Sequence, residues 1–351
     1  MPSSSTKAKH TDFKQLPVVD ISGLYADDPV VRQQAAEQLG TAARDAGFLY
    51  VTGHAVPQSL IDNLLRLTKD YFAQDLDAKM QDYIGQSSNH SGYVPQGEEQ
   101  FYGAKPDFKE AYDVGFDLGE FPADLQAARQ RPMLGANQWS AFPGFKTHVS
   151  AYYKAVYDLS RVLFRGFALA LGLEEDNLLR LVSTPPSQLR LIHYPYNPAI
   201  AAERPGIGEH TDYECFTILL PTTGGLEVQN GANEWIPAPV VPGAFVINIG
   251  DMLEILSNGR FVATKHRVRK VPEERYSFPL FCACDYDTVI APLPELLPAD
   301  GHSDYAPQIC GQHLYAQTMQ TFKYLRTRLE QGELALPDGA LPLSSFGPKT
   351  R

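Results

Sequence analysis

Apolar positions recur at three- and four-residue intervals through "VVRQQAAEQLGTAARDAG" and "SLIDNLLRLTKDYFAQ", so the stretch from Pro29 to about Gln74 predicts two amphipathic helices. Between them "FLYVTG" is short and apolar, as a strand would be. Residues 76–145 lose this regularity. Gly and Pro recur, "EAYDVGF" reads as a short extended piece, and "HSGYVPQGEEQFYGAKPDF" as a long ordered loop of the kind that lines sites. Helical periodicity returns over residues 146–182, interrupted by Gly172, and predicts a long scaffold helix followed by a short second one. From Leu189 to about Ile290 the pattern changes to short apolar runs broken by turns, among them "LRLIHYPY", "FTILLP", "AFVINIG" and "YSFPLFCACDY". Such spacing predicts an antiparallel sandwich or barrel, with Asn258-Gly259 as a hairpin turn because both residues accept positive φ. "QICGQHLYAQTMQTFKYLRTRLEQ" then predicts one amphipathic helix.

Helices thus flank an all-β core in sequence, with no internal repeat and no polar linker, which predicts one composite, mainly β domain. Its expected divisions are a mobile tail (1–14), a region of helices, short strands and the long loop (15–145), scaffold helices (146–186), the β core (187–290), a C-terminal loop and helix (291–336) and a second tail (337–351). With 44% hydrophobic and 20% charged residues in 351, the chain can bury a sizeable core. Its net charge of -11 is spread without a basic stripe, which argues against nucleic acid and anionic membranes and for a small-molecule partner. No apolar run approaches a membrane span, the N-terminus lacks a secretory h-region, and no obligate protein partner is indicated. Cys215, Cys282, Cys284 and Cys310 follow no disulfide framework and read as buried thiols, hence a reducing, cytoplasmic compartment.

Candidate chemistry begins in "GEHTDYECFTILL". In a strand, His210 and Asp212 at i and i+2 share a face and offer two metal ligands side by side. A polar turn is the competing reading, since a lone His-x-Asp is weak in a chain with 9 histidines. His266, in "FVATKHRVRKV" several strands later, supplies a third ligand if the sandwich returns the chain beside the pair. Two histidines and a carboxylate with open positions opposite are the facial triad of non-haem Fe(II) and O2 chemistry. Further on, Arg275 and Ser277 again share a strand face. Together they offer a planar fork and a hydroxyl to a carboxylate, although a surface ion pair would explain the arginine equally well.

The ordered run "HTDYECFTILLPTTGGLEVQNGANEWIPAPVVPGAFVINIGDMLEILSNGRFVATKHRV…RYS" resembles the iron- and 2-oxoglutarate-dependent dioxygenases of the isopenicillin N synthase-like superfamily. "LPVVDISGL", "ARDAGFLYVTGHAVPQSLIDNLL" and "GYVPQGEE…KPDFKEAYDVG" extend the resemblance over residues 16–290. It implies a double-stranded β-helix (jelly-roll, cupin-like) core. It also implies Fe(II) on His210, Asp212 and His266, and 2-oxoglutarate on Arg275, Ser277 and Tyr194, with Tyr196 close enough to take the tyrosine's place. O2 is the co-reactant, ascorbate a stimulant, and succinate and CO2 the co-products of hydroxylating, desaturating or cyclising a small molecule. Many plant members carry Asn where this chain has Ile192, which implies a cosubstrate pocket that is drier at that point or filled differently. Two other readings stay open: a 2-oxoglutarate-independent oxidase of the isopenicillin N synthase or aminocyclopropanecarboxylate oxidase type, and a non-catalytic jelly-roll binding protein.

His90 falls where relatives contact substrate, and a solvated loop histidine is its plain alternative. Arg190 shares a face with Ile192 and Tyr194 and so offers a second anion contact, against the alternatives of a surface position or a structural ion pair. Phe281 has inward parity on the strand of Arg275, while Tyr213 and Phe216 flank the His-x-Asp pair; all three are candidate pocket residues. His54 and Asp251 read as turn residues, and His148, His193, His302 and His313 as structural.

Overall fold

The computed structural model describes residues 11–100, 109–196, 207–269 and 273–341. In chain order the strands that build its two main sheets are β1 (Val18–Asp20), β2 (Phe48–Thr52), β3 (Gly92–Val94), β4 (Glu110–Val114), β5 (Gln188–Tyr194) and β6 (Ile207–His210). They continue with β7 (Phe216–Pro221), β8 (Leu226–Gln229), β9 (Trp235–Pro237), β10 (Phe245–Ile249), β11 (His266–Val268) and β12 (Arg275–Cys282). The major sheet runs β1-β2-β10-β7-β12-β5-β4-β3 and the minor sheet β6-β11-β8-β9. Apart from the parallel β1–β2 edge the ladders are antiparallel, and the two sheets form the jelly-roll core.

Central strands of the major sheet are buried on both faces, which is why "FLYV" and "FVINI" read as continuous apolar runs. Alternation assigns their faces. Phe48, Tyr50 and Val246 pack with Leu226 and Val228 of the minor sheet, while Leu49, Val51, Ile247 and Ile249 join the core under the helices.

The helices are α1 (Pro29–Asp45), α2 (Gln58–Phe72), α3 (Leu76–Lys79), α4 (Ala123–Arg129), α5 (Phe145–Ala170), α6 (Asp251–Leu256), α7 (Cys310–Thr321) and α8 (Lys323–Glu330). α1 starts where the Asp28 carboxylate accepts the Val30 N–H at 2.8 Å and Pro29 occupies the first turn. It packs closely on α5 at Gly40, where a Cβ would lie 2.6 Å from the Ala170 Cβ. α5 buries the stripe Val149, Tyr152, Val156, Leu159, Leu163 and Phe167, each worth about 1.5–3 kcal/mol of burial, and so fixes the back of the major sheet. No helix among the described residues is long and apolar enough to cross a membrane.

Several expectations change. Asn258 and Gly259 do have positive φ (52° and 72°), but they terminate α6 rather than turn a hairpin: the Gly259 N–H returns to Glu254 O at 2.8 Å. The second helix expected before residue 182 is a single 3-10 turn, Leu179–Leu181. The C-terminal helix breaks into α7 and α8 at Phe322, whose ψ of 129° is extended. Residues 11–14 are docked rather than loose, through Thr11 N–H to Asp45 O and an ion pair between Lys14 and Glu234. Gln317 and Gln320 likewise hold Leu341 O, whereas the remainder of both expected tails, 1–10 and 342–351, lies outside the described residues.

Candidate active site

β6 ends at His210, so Asp212 lies just beyond the strand and not on it. What brings them together is the loop, not strand parity. Asp251 N–H at the start of α6 donates to Asp212 O (2.8 Å) and Met252 N–H to Tyr213 O (3.1 Å), clamping the ligand-bearing turn. Gly250 allows this approach, because a Cβ there would lie 2.2 Å from Glu214 O and 3.0 Å from Asp212 O. Asp251 also accepts a hydrogen bond from Thr211 Oγ1, in keeping with its expected turn role. β11 pairs with β6 so that His266 sits opposite His210, with ring centroids 4.2 Å apart.

The donor atoms of His210, Asp212 and His266 all lie within 4.8 Å of one another. Both imidazole Nε2 atoms are 3.6 Å from Asp212 Oδ1, a separation one ion with bonds of about 2.1 Å can bridge. Each ring is oriented by its other nitrogen: His210 Nδ1 lies 2.8 Å from Gly208 O and His266 Nδ1 3.2 Å from Thr264 O, which turns Nε2 toward Asp212. Asp212 Oδ2 accepts from Asn248 Nδ2 (2.7 Å) and Thr217 Oγ1, leaving Oδ1 toward the histidines. Burial, with repulsion from His266 second, lowers the His210 pKa to about 4, keeping the ring neutral. Burial opposes ionisation of Asp212, but His266, His210, Thr217 and Asn248 outweigh it and hold the carboxyl below its usual range. Two imidazole nitrogens and one carboxylate fit a divalent first-row ion such as Fe(II).

Arg275 is 1% exposed. Its guanidinium lies 4.7 Å over the ring of Tyr194, its partner across β5–β12, and Nη2 is 3.5 Å from Ser277 Oγ. Nε and Nη1 have no hydrogen-bond partner among the described residues. A buried cation with two orphan donors is the complement of a carboxylate, not a surface ion pair. Tyr196 is 50% exposed, so Tyr194 is the buried tyrosine of the pair. Ile192, opposite Ser277, packs in an apolar cluster with Tyr194, Ala111 and Val94, making this wall dry.

A cavity of about 130 Å³ opens beside His210 and Asp212. Arg190, Ile192 and Phe281 line it from the major sheet, as strand parity predicts, and Tyr213 from the ligand loop. His90 lines it too, in a left-handed backbone conformation (φ 59°), with Nδ1 2.6 Å from Tyr324 Oη and a pKa that burial, then Arg190, lowers to about 3. Arg190 is fully engaged: Nε and Nη2 meet Asp113 at 2.7 Å each, and Nη1 meets Glu99. Phe216 is the exception among the expected pocket residues. It turns to the back of the sheet and packs against Phe164 and Phe167 of α5 at 4.7 and 5.2 Å, because regular β7 pairing begins at Phe216 and sends that side chain to the helix face.

Sequence reading did not single out Glu99, Lys109, Glu214 or the far wall from α7 and Phe322. Glu99 and Lys109 pair at 2.7 Å, and Arg190 and Lys109 overcome burial to lower the Glu99 pKa to about 2. Glu214 carries the opposite shift: desolvation, then the Asp212 charge, raises its carboxyl to about 8. Its place two residues beyond Asp212 was the one signal available. His54 bonds Gly243 O and the Val56 N–H within its turn, and His193 lies between Glu110 and Glu274; neither joins the site.

Residues 16–141 match the family described as "non-haem dioxygenase in morphine synthesis N-terminal", and residues 185–283 match the "2OG-Fe(II) oxygenase superfamily". A homoarginine-6-hydroxylase of Oryza sativa subsp. japonica is 34% identical over 330 residues, covering 89% of this chain and 99% of the relative. The 2-oxoglutarate-Fe(II) type oxidoreductase hxnY of Emericella nidulans is 31% identical, covering 83% and 86%. Among solved structures, a putative 2OG-Fe(II) oxygenase family protein from Caulobacter crescentus superposes with a TM-score of 0.73 at 31% identity, covering 91% of this chain and 99% of that one.

Proposed function

Because the chain belongs to the 2OG-Fe(II) oxygenase superfamily, a non-haem dioxygenase that uses Fe(II), 2-oxoglutarate and O2, we propose that His210, Asp212 and His266 hold the iron and that Arg275 and Ser277 anchor the cosubstrate. Bound Fe(II) and 2-oxoglutarate supply an O2-dependent oxidation that releases succinate and CO2 and hydroxylates a substrate C–H bond. The protein's part is orientation and exclusion of water. Gly208 O and Thr264 O set the two imidazole tautomers, while Asn248 and Thr217 hold the carboxylate rotamer. Arg275 takes the distal carboxylate of 2-oxoglutarate on Nε and Nη1, with Ser277 as a further donor and Tyr194 supporting the guanidinium from its face. Ile192 and Phe281 keep the adjoining wall dry, and His90, Arg190 and Tyr213 bound the substrate cavity.

The observation that carries this reading is the buried Arg275 with two unpartnered donors on the sheet that also carries the iron-loop strand β7. Homoarginine, named for the relatives, is the first substrate to try. All four cysteines are buried free thiols, which supports a cytoplasmic setting. The test is succinate release by Fe(II)-loaded protein given 2-oxoglutarate and O2 with a substrate panel. Release that is abolished in His210→Ala is the expected result; no release above a metal-free control, or release unaffected by that substitution, overturns the assignment.

A further inference from the structure

On the major-sheet wall of the cavity the charged groups are committed to one another. Arg190 is bound by Asp113 and Glu99, and Lys109 by Glu99, so two cations meet two carboxylates in place. Two uncharged side chains beside them are not committed. His90 is 4% exposed and lines the cavity. Its Nδ1 is taken by Tyr324 Oη at 2.6 Å, while Nε2 has no hydrogen-bond partner among the described residues and is not enclosed by protein, so it faces the open space. Gln188 stands on the strand face of Arg190 and Ile192 and lines the same cavity. Its Nε2 donates to His90 O at 2.8 Å, and its Oε1 is left open, without a partner among the described residues.

The same contacts fix where the hydrogens lie. A carbonyl only accepts, so the Gln188 amide nitrogen must face His90 O and Oε1 must face away from it. The Tyr324 hydroxyl has no acceptor other than His90 Nδ1 among the described residues, and a phenol donates to an imidazole nitrogen more readily than the reverse, so the ring proton sits on Nε2. Burial, then Arg190, keeps this imidazole neutral by lowering its pKa to about 3. The ring is also held in position: Phe322 meets it edge-on at 4.3 Å, and its backbone φ of 59° is a left-handed conformation that the surroundings must enforce. The cavity thus presents one fixed N–H donor and one fixed carbonyl acceptor, both uncharged, on residues tied to each other. From this we infer that His90 and Gln188 are specificity-determining residues that receive a neutral amide group of the substrate, its oxygen on His90 Nε2–H and its N–H on Gln188 Oε1. Tyr324 is the positioning residue that sets the tautomer. The inference rests on the hydroxylase reading above and extends it to the class of substrate. A carboxylate or ammonium in this place would give up its water for two neutral dipoles, whereas an amide exchanges one hydrogen bond for another at each end. Ile192, Phe281 and Leu314 offer apolar surface to the rest of such a molecule.

Two isosteric pairs test it, the cyclic amide carbostyril against its ester coumarin and the open-chain amide acetanilide against phenyl acetate. Each is titrated calorimetrically into the anaerobic Fe(II)·2-oxoglutarate protein and, separately, into the metal-free protein. The first amide carries its oxygen and N–H on the same side of the amide bond and the second on opposite sides, so both spacings are covered. The amide of at least one pair is expected to bind about ten-fold or more tighter than its ester. Gln188→Leu should bring that amide down to its ester and leave the ester unchanged. Tyr324→Phe should weaken amide and ester alike, by about three- to ten-fold, with 2-oxoglutarate binding unaltered in both variants. Equal binding of amide and ester, no binding of either amide, or a preference that survives Gln188→Leu overturns the inference, and full affinity in Tyr324→Phe overturns the part given to the tyrosine. A protein that prefers the amide but binds neither iron nor 2-oxoglutarate would overturn the hydroxylase reading and leave the amide site standing. The wild-type comparison needs no variant, so it decides the matter even if Gln188→Leu fails to fold.

Discussion

Arg275→Met makes a prediction of two opposite signs. In the ligand-free protein the guanidinium is 1% exposed with Nε and Nη1 unpartnered among the described residues, and each such donor costs about 1–3 kcal/mol. The stack on Tyr194 returns about 0.5–2 kcal/mol, and the 3.5 Å contact to Ser277 little. Removing the guanidinium while keeping an apolar side chain should therefore leave the empty protein as stable as the wild type, or on the order of 1–4 kcal/mol more stable. With 2-oxoglutarate the sign reverses. Two hydrogen bonds to a charged group, at about 1.5–3 kcal/mol each, are lost, which at about 1.4 kcal/mol per decade weakens binding by roughly 10²–10⁴-fold. Anaerobic calorimetric titration of the Fe(II)-loaded proteins measures the second effect and thermal melting without ligand the first. Binding within three-fold of the wild type, or a ligand-free variant that melts well below it, would refute the reasoning, because a satisfied structural arginine behaves in just that way.

Asn248→Ala removes one of the two bonds that fix Asp212 Oδ2, so metal affinity should fall about 10–100-fold in a competitive metal titration while the fold persists; an unchanged affinity would contradict the orienting role. Gly250→Ala places a methyl 2.2 Å from Glu214 O, a backbone atom that cannot step aside, and should cost about 1–3 kcal/mol in denaturant unfolding and also lower metal occupancy. His90 protonates in the unfolded chain near 6.5 but in the folded protein only near 3, so its burial withdraws stability as pH falls through that interval, by about 1 kcal/mol at pH 5.5. Asn tolerates the left-handed backbone at this position, and His90→Asn should lose less stability than the wild type between pH 7.5 and 5.5; equal losses would exclude the histidine as a source.

The β core, the long scaffold helix and the residues that gather at the candidate metal site, His210, Asp212 and His266, were legible in the chain because each rests on a local pattern or an ordered series of motifs. The reason given for one of them was not right. His210 and Asp212 converge through a turn clamped by α6, and α6 itself was hidden because "DMLEIL" is buried on all sides and too short to show a period. Phe216 was misassigned for a related cause: without knowing that regular β7 pairing starts at that residue, its face could not be read from alternation. Arg190 with Asp113 and with Glu99 are contacts between segments far apart in the chain that no window of sequence contains. The orphan donors of Arg275 belong to the same class, since an unpartnered atom becomes visible only when all its neighbours are placed.

The cavity wall contributed by α7 and Phe322 bears on the order in which the enzyme is made. Synthesis runs from N- to C-terminus, so the proposed iron donors at 210, 212 and 266 and the proposed anchor at 275 emerge from the ribosome before Leu314, Gln317 and Phe322. A nascent or truncated chain ending between these two sets carries every metal donor but lacks one side of the chamber that shields the chemistry from solvent. The closing of that wall by the later segment makes oxidative competence a property of the finished fold, and the protein's own side chains are safest if metal loading waits for it.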